Sequence, residues 1–369
     1  MLDNFDYGAE LGDELIHAKL WPKVGERTAL VDADLLPYTV GYSIDEMMWL
    51  RAKNRVASGS CSTISDTPEF DEVKEKLCAT YNRWVISAGC DSAIPFLTKS
   101  DANYRLGIAF SRPYKGTRKA EKPPFFYELR EFFLTEIGGV LADGEEADDL
   151  ISIEANTRNR AIAEQGVELG SATHREFCDF VIVSTDKDLQ INCGYHYNPV
   201  LNVQTWVTLL GQLSPQWDDK GGIKKLRGCG RKFFYAQMLM GDSIDNYTGI
   251  PRMRLKVIYD LLEPLQTEQQ LYLAVLGAYK KKYGEGIVVD NYRGTKAYFD
   301  KYRDIHGKEP EDYQYFVGRS RFMKPYELML EQGRLAHMQT FKGDIWRIDK
   351  SPVIYGDQQE FWSNDTKNF

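Results

Sequence analysis

Histidine is scarce in this 369-residue chain, with five copies and no HExxH or HxH pair. That argues against a zinc hydrolase, whose ligand sets depend on imidazoles at fixed spacing. Cysteine is sparse too: Cys61, Cys78, Cys90, Cys178, Cys193 and Cys229 are scattered without a CxxC spacing. Such thiols suit a reducing compartment better than a disulfide framework or a zinc knuckle. No run of 18 apolar residues occurs, so a membrane-spanning helix is not expected. The opening stretch, MLDNFDYGAELGDELIHAKL, is acidic and lacks an apolar segment. A signal peptide is therefore not expected, and a cytoplasmic setting is.

Core-forming residues are plentiful, at 43% hydrophobic and 13% aromatic, which excludes a disordered chain. At roughly 150 residues per domain, the length suggests two or three globular units. The net charge of −8 argues at first against a nucleic-acid partner. The basic residues are clustered, however: Arg112, Lys115, Arg118, Lys119 and Lys122, then Lys220, Lys224, Lys225, Arg227, Arg231 and Lys232, then Arg252, Arg254 and Lys256. An acidic chain with local basic patches fits a protein that binds phosphates around an acidic, metal-dependent centre. The run Lys280–Lys282 reads as a solvated face.

The chain is organised around FVIVSTDKDLQ, residues 180–190. Four apolar residues read as a short strand buried on both faces. Asp186 and Asp188 follow it, at the carboxyl end where open α/β sheets place their ligands. A helix cap is the plainer explanation of this stretch alone, since Ser, Thr and Asp all cap well. Three other stretches repeat the theme. A strand over Thr28–Val31 runs into Asp32 and Asp34, and one over Ala93–Leu97 precedes Asp101. Glu145, Glu146, Asp148 and Asp149 then open a helix expected to reach about Gln165. Acids at a helix N-terminus contribute typically ~0.3–1 kcal/mol each. Four in five positions exceed what the dipole can use. Like charges three and four apart repel, and a divalent cation is the economical explanation.

Spacing predicts further helices over 70–85, from Pro124 to Ile137, over 233–240, from about Met253 to Leu262, and over 266–282, 295–305 and 322–338. Tyr195–Pro199 and Leu201–Leu209 read as edge strands, and 219–231 as a glycine-rich basic loop. The two helices around Gly241–Pro251 form a helix-hairpin-helix-like unit, which can hold a phosphate backbone with main-chain N–H groups. Asp242 and Asp245 add a fifth acidic group. Oxygen ligands without histidine or cysteine point to Mg²⁺ or Mn²⁺, and their number to two ions.

The series VDAD (31–34), SDANYR (100–105), PYKGTR (113–118), GEEADDL (144–150), VSTDKDL (183–189) and GDSIDNYTGIP (241–251), with GRLAHMQTF (333–341) near the end, resembles the flap endonuclease/5′→3′ exonuclease family, most of all its phage-encoded members. The resemblance spans residues 28–262 and more weakly the rest. It implies a PIN-like α/β nuclease core, a mostly parallel sheet flanked by helices over 28–218. It further implies a short arch region at about 112–138 and a helix-three-turn-helix DNA clamp within a helical region over 219–369, with 1–27 as an arm. Asp32, Asp101, Glu146, Asp148 and Asp149 match the family's first metal group, and Asp186, Asp188, Asp242 and Asp245 its second. Lys115 and Arg118 match the pair used on the scissile phosphate, Tyr114 an aromatic for base stacking, and Arg105 a phosphate-side arginine. Lys119, Gly249, Ile250, Arg252, Arg254 and Lys256 are the remaining expected DNA contacts.

The implied activity is Mg²⁺-dependent 5′→3′ hydrolysis of duplex DNA, with 5′ flaps and RNA–DNA hybrids as further expected substrates. Phage DNA replication or recombination, host DNA degradation or RNA primer removal, in the host cytoplasm, would be its setting. The partner would be duplex DNA with 5′ ends, nicks or flaps, no membrane is expected, and a monomer is. The alternatives are an RNase H-like primer-removal nuclease and a non-catalytic DNA-junction binder on the same fold. Two departures stand out. Arg252 and Arg254 replace the later glycines of the family's GIxGxGxK clamp, which puts a K⁺ site there in doubt. The 31 residues between Tyr114 and Glu146 are few for a closed arch, so an open groove is expected.

Overall fold

The structure is a computed structural model that describes residues 27–116 and 121–347, with the backbone alone at 100–102. The expectations for residues 1–26, Arg118, Lys119 and the side chain of Asp101 lie outside the described residues. The chain divides into two compact units, one of residues 1–102, 119–208 and 340–342, the other of 103–118, 209–339 and 343–369.

In the first unit, Thr28–Asp32 (β1), Ser92–Asn103 (β2), Val140–Gly144 (β3), Phe180–Val183 (β4), Gly194–Asn198 (β5) and Val203–Val207 (β6) form one sheet in the order β3-β2-β1-β4-β5-β6. β1 runs parallel to β2 and β4, and β4 to β5, while β6 pairs antiparallel. This is the mostly parallel α/β sheet that the sequence predicts. Its two central strands, TALVD and FVIV, are buried from Ala29 to Asp32 and from Phe180 to Val183, with both faces covered. Residues 195–199 form an inner strand rather than an edge. Tyr195 and Tyr197 are buried there, and Tyr195 packs against Trp206 of β6, so β6 takes the edge.

The helices flanking the sheet carry their own start signals. Pro68–Ser87 begins at Thr67, whose hydroxyl accepts from the Phe70 N–H, with proline in the first turn. It buries Phe70, Val73, Leu77 and Trp84. Ala147–Ala163 buries Ile151, Ala155 and Ile162 and packs on β1 and β4. The segment from Pro124 differs from a single helix: Phe125 adopts φ +58°, the helix covers Phe126–Phe132, and a π turn over Phe133–Ile137 ends it.

In the second unit the expected basic loop is a hairpin, Leu213–Trp217 (β7) with Ile223–Gly228 (β8). Leu226 is buried within β8, and the turn is closed by Asp218, whose carboxylate accepts from the Lys220 and Gly222 N–H groups. The helix Gly230–Met240 is buried nearly all round and packs against the helices Leu255–Leu262, Glu268–Tyr283 and Pro325–Ala336. The helices expected near 266–282, 295–305 and 322–338 are present as Glu268–Tyr283, Lys296–His306 and Pro325–Ala336. A small antiparallel pair, Ile287–Asp290 (β9) with Ser320–Met323 (β10), interrupts that helical region.

Candidate active site

Parallel pairing sets the first cluster. Val31 of β1 lies opposite Val183 of β4, so the residues that follow, Asp32 and Ser184, emerge side by side. The Ser184 hydroxyl donates to Asp32 Oδ2 at 2.9 Å and accepts the Asp186 N–H at 2.9 Å. Asp186 Oδ1 in turn accepts the Asp188 N–H at 2.8 Å. One serine thus ties the acid after β1 to the acids after β4. Asp32 is buried, and Asp186 and Asp188 are half-buried. Burial first, then the charges of Asp34 and Asp186, push the Asp32 carboxyl up to about 8 against the pull of the Ser184 hydroxyl.

A second set of bonds fixes the neighbouring strand. Asp34 Oδ2 accepts the Thr98 N–H at 2.9 Å, and Asp34 Oδ1 receives Arg130 Nη1. Arg130 also donates to the Thr98 carbonyl at 2.5 Å, and the Thr98 hydroxyl accepts the Ala147 N–H at 2.8 Å. Asp34 is therefore a strut between β1 and β2, not a helix cap. Asp149 is fully buried, and its Oδ2 accepts the Glu146 N–H at 3.1 Å in a capping box. Capping thus accounts for part of the acidic run at 145–149. Lys342 Nζ lies 3.9 Å from Glu145, one cation beside the repulsion that the sequence shows.

In the second unit Asp242 is buried in a tight loop, its Oδ1 accepting the N–H groups of Ile244 and Asp245 at 2.7 and 3.2 Å. Gly241 and Gly249, at φ +72° and +56°, allow the loop to close. A Cβ on Gly249 would stand 2.5 Å from the Gly241 nitrogen. The Lys115 segment docks on this loop. Lys115 N–H donates to the Asp245 carbonyl at 2.9 Å, Tyr114 Oη to Asp245 Oδ2 at 3.2 Å, and Asn246 Nδ2 to the Pro113 carbonyl at 2.8 Å. Lys115 adopts φ +53°, a conformation unusual for a side chain of its size.

Two expected DNA contacts are buried. Arg105 is 3% exposed and donates to the carbonyls of Leu335 at 3.2 Å and His337 at 2.5 Å. Tyr114 is 6% exposed, with Arg105 and Lys115 beside its ring. Arg252, Arg254 and Lys256 are exposed beside the buried Gly249 and Ile250. Lys256 pairs with Asp260 at 2.8 Å. Ser184, Thr98 and Arg130 went unrecognised in the sequence. Ser184 had a signal, its place between β4 and Asp186; the other two had none.

The buried Asp32, crowded by two further carboxylates, has the donor chemistry of a hard-cation site and fits Mg²⁺ or Mn²⁺. Among the described residues, no three histidine, cysteine or acidic side chains by themselves make up an ion-holding group.

No family model and no curated protein matches this sequence. Among solved structures it is similar to a T5 protein co-crystallized with metal ions, at 14% identity and a TM-score of 0.44, covering 93% of this chain and 98% of that one. It is similar to the bacteriophage T5 flap endonuclease in a pseudo-enzyme-product complex with DNA and metal ions, at 13% identity and a TM-score of 0.43, over 93% and 98% of the two chains. The T5 5′-exonuclease with bound zinc stands at 15% identity and a TM-score of 0.42, over 93% and 99%.

Proposed function

We propose that this chain is a divalent-metal-dependent nuclease that hydrolyses phosphodiester bonds of DNA from 5′ ends. The observation that carries the reading is the bond from Ser184 to Asp32, which links the acid after β1 to the loop that bears Asp186 and Asp188 after β4. Asp32, Asp186 and Asp188, with Asp101, Glu146, Asp148 and Asp149, are the first unit's proposed donors to Mg²⁺ or Mn²⁺. Asp242 and Asp245 are the second unit's. A bound cation would lower the pKa of water and offset charge on the phosphate.

The chain's own residues do the rest. Ser184 orients the Asp32 carboxylate, and Asp34 with Arg130 keeps β1 and β2 in register beside it. Lys115 is the proposed cation toward the phosphoryl oxygens, with Arg118 and Lys119 as further candidates. The exposed Arg252, Arg254 and Lys256 are proposed to grip the backbone of duplex DNA, a contact that positions without reading sequence. Side-chain charge there replaces the close main-chain approach that glycines would allow.

The lack of a three-donor group among the described residues favours one second reading, a non-catalytic DNA binder. The two separate in one assay. The protein is incubated with 5′-labelled and 3′-labelled duplex DNA, a 5′ flap and an RNA–DNA hybrid, with Mg²⁺ or EDTA. Mg²⁺-dependent release of nucleotides from the 5′ end is expected, and the order of substrates gives the biological role. DNA that is retarded but uncut under every condition would establish the binder.

A further inference from the structure

The chain from Asn103 to Gly116 carries Lys115, and residues far later in the sequence hold it at several points. Tyr104 Oη and Arg105 Nη2 both donate to the His337 carbonyl, and Arg105 Nε to that of Leu335. Arg293 Nη2 donates to the Leu106 carbonyl at 2.9 Å, and the Tyr292 N–H to that of Phe110 at 3.0 Å. Lys301 Nζ donates to the Gly116 carbonyl.

The densest of these contacts is made by Glu331, on the helix Pro325–Ala336. Its Oε1 accepts the N–H groups of Phe110 and Ser111 at 2.9 and 2.8 Å and the Ser111 hydroxyl at 3.0 Å. Glu331 is 5% exposed. Burying a carboxylate is costly unless hydrogen bonds compensate it, and here the three donors on Oε1 supply that compensation while Oε2 is buried without a hydrogen bond among the described residues. The next residue, Gln332, is also buried, and its Oε1 accepts the N–H groups of Thr248 and Gly249 at 3.1 and 3.0 Å. Two adjacent side chains on one helix therefore hold two loops: the one that leads to Lys115, and the turn that opens the expected DNA clamp.

We infer that Glu331 and Gln332 are positioning residues, and that the helix Pro325–Ala336 is the template on which the Lys115 loop and the 248–251 turn are set. This gives the C-terminal region a task within the proposed nuclease, and it rests on that reading for its catalytic consequence alone. The two side chains divide the work. Glu331 acts on the chemistry through the Lys115 loop. Gln332 acts on DNA binding through the turn.

The test pairs amide hydrogen exchange with steady-state cleavage. In Glu331→Ala, exchange at residues 110–116 should rise about tenfold or more, as expected for locally opened structure. kcat should fall about 10- to 100-fold, the scale of a small misplacement of a reacting group, with KM little changed. Glu331→Gln keeps an acceptor at the same place and should restore both. Gln332→Ala should raise exchange at 248–251 and raise KM for DNA while sparing kcat, and Gln332→Glu should restore it. Unchanged exchange at these segments, or a uniform rise across the second unit with kcat and KM failing together in all four variants, would overturn the inference. If the wild-type protein cuts no DNA, the nuclease reading fails, while the exchange pattern still decides whether the helix orders the two loops.

Discussion

At the sheet end of the first unit, Asp32 and Ser184 are neighbours because β1 and β4 are neighbours; in the second unit, Tyr114 reaches Asp245 from 131 residues away. The first arrangement is the work of main-chain pairing, with one hydroxyl to finish it. The second is assembled from side chains that capture loop backbone, some of them, such as Glu331, 220 residues from their target. A site on strand ends inherits the rigidity of the sheet, whereas a site on loops needs a dedicated partner for nearly every turn. The two regions should therefore fail differently when they are damaged.

The largest effect belongs to the acids themselves. Asp186→Ala should lower Mg²⁺-dependent cleavage by about 10³-fold or more, the several kcal/mol that a metal supplies to the transition state. Gel retardation should show DNA binding retained. Lys115→Ala should cost less, about 10²–10³-fold in kcat, by removal of one charge-stabilising group. Equal losses in the two variants would erase the contrast between a metal set and a single cation.

Stability sharpens the same comparison. Ile151 is fully buried in the helix that packs on β1 and β4, and Ile151→Ala should cost about 2–5 kcal/mol in urea unfolding. Its cleavage rate per folded molecule should nevertheless stay near wild type, because strand pairing rather than this side chain sets Asp32. A large loss of specific activity in the folded fraction would break that account.

His174 and His196 lie buried in the first unit, and burial pushes both down to about 4. His174 takes the Gly170 N–H on Nδ1 and meets Asn159 Oδ1 with Nε2, so it is held neutral. The unfolded chain, with histidines near 6.5, binds protons that the folded chain refuses. Stability is then fully present above pH 6.5 and is lost as pH falls toward 4, each histidine removing about 1.4 kcal/mol for every pH unit crossed in that window. Urea melts at pH 7 and pH 5 measure this, and a flat profile would contradict it. The smallest effect is expected at the proposed DNA-binding surface. Arg252→Ala should weaken duplex binding evenly across sequences and reduce the salt slope by about 1.

The sequence carried the sheet and its acids because that information is local. Apolar runs at 28–31 and 180–183 are followed by carboxylates, and some helices begin at a recognisable cap, as Pro68–Ser87 does at Thr67 and Glu268–Tyr283 at Thr267. It misread residues 219–231 because four glycines and adjacent lysines there hide a strand, β8, that pairs with β7. It placed 195–199 at an edge because tyrosine suits a half-exposed strand, whereas Trp206 covers Tyr195. Arg105 and Tyr114 look like DNA contacts by residue type and motif; both are buried, with partners distant in the chain, the carbonyls of Leu335 and His337 for Arg105 and Asp245 for Tyr114. No periodicity marks Glu331 or Thr98, whose partners lie far away in the chain. Asp149 is the instructive middle case, since its acidic cluster suggests a cation and its side chain caps the helix.

The central claim is that the strand-end carboxylates of the first unit hold the cation. Mn²⁺ binding, followed by the loss of the free-ion electron paramagnetic resonance signal with and without duplex DNA, tests it directly. The account predicts saturable Mn²⁺ binding to the wild-type protein and at least about tenfold weaker binding to Asp32→Asn, with melting temperature preserved. Equal binding by the two proteins, or none by the wild type even with DNA, would contradict it.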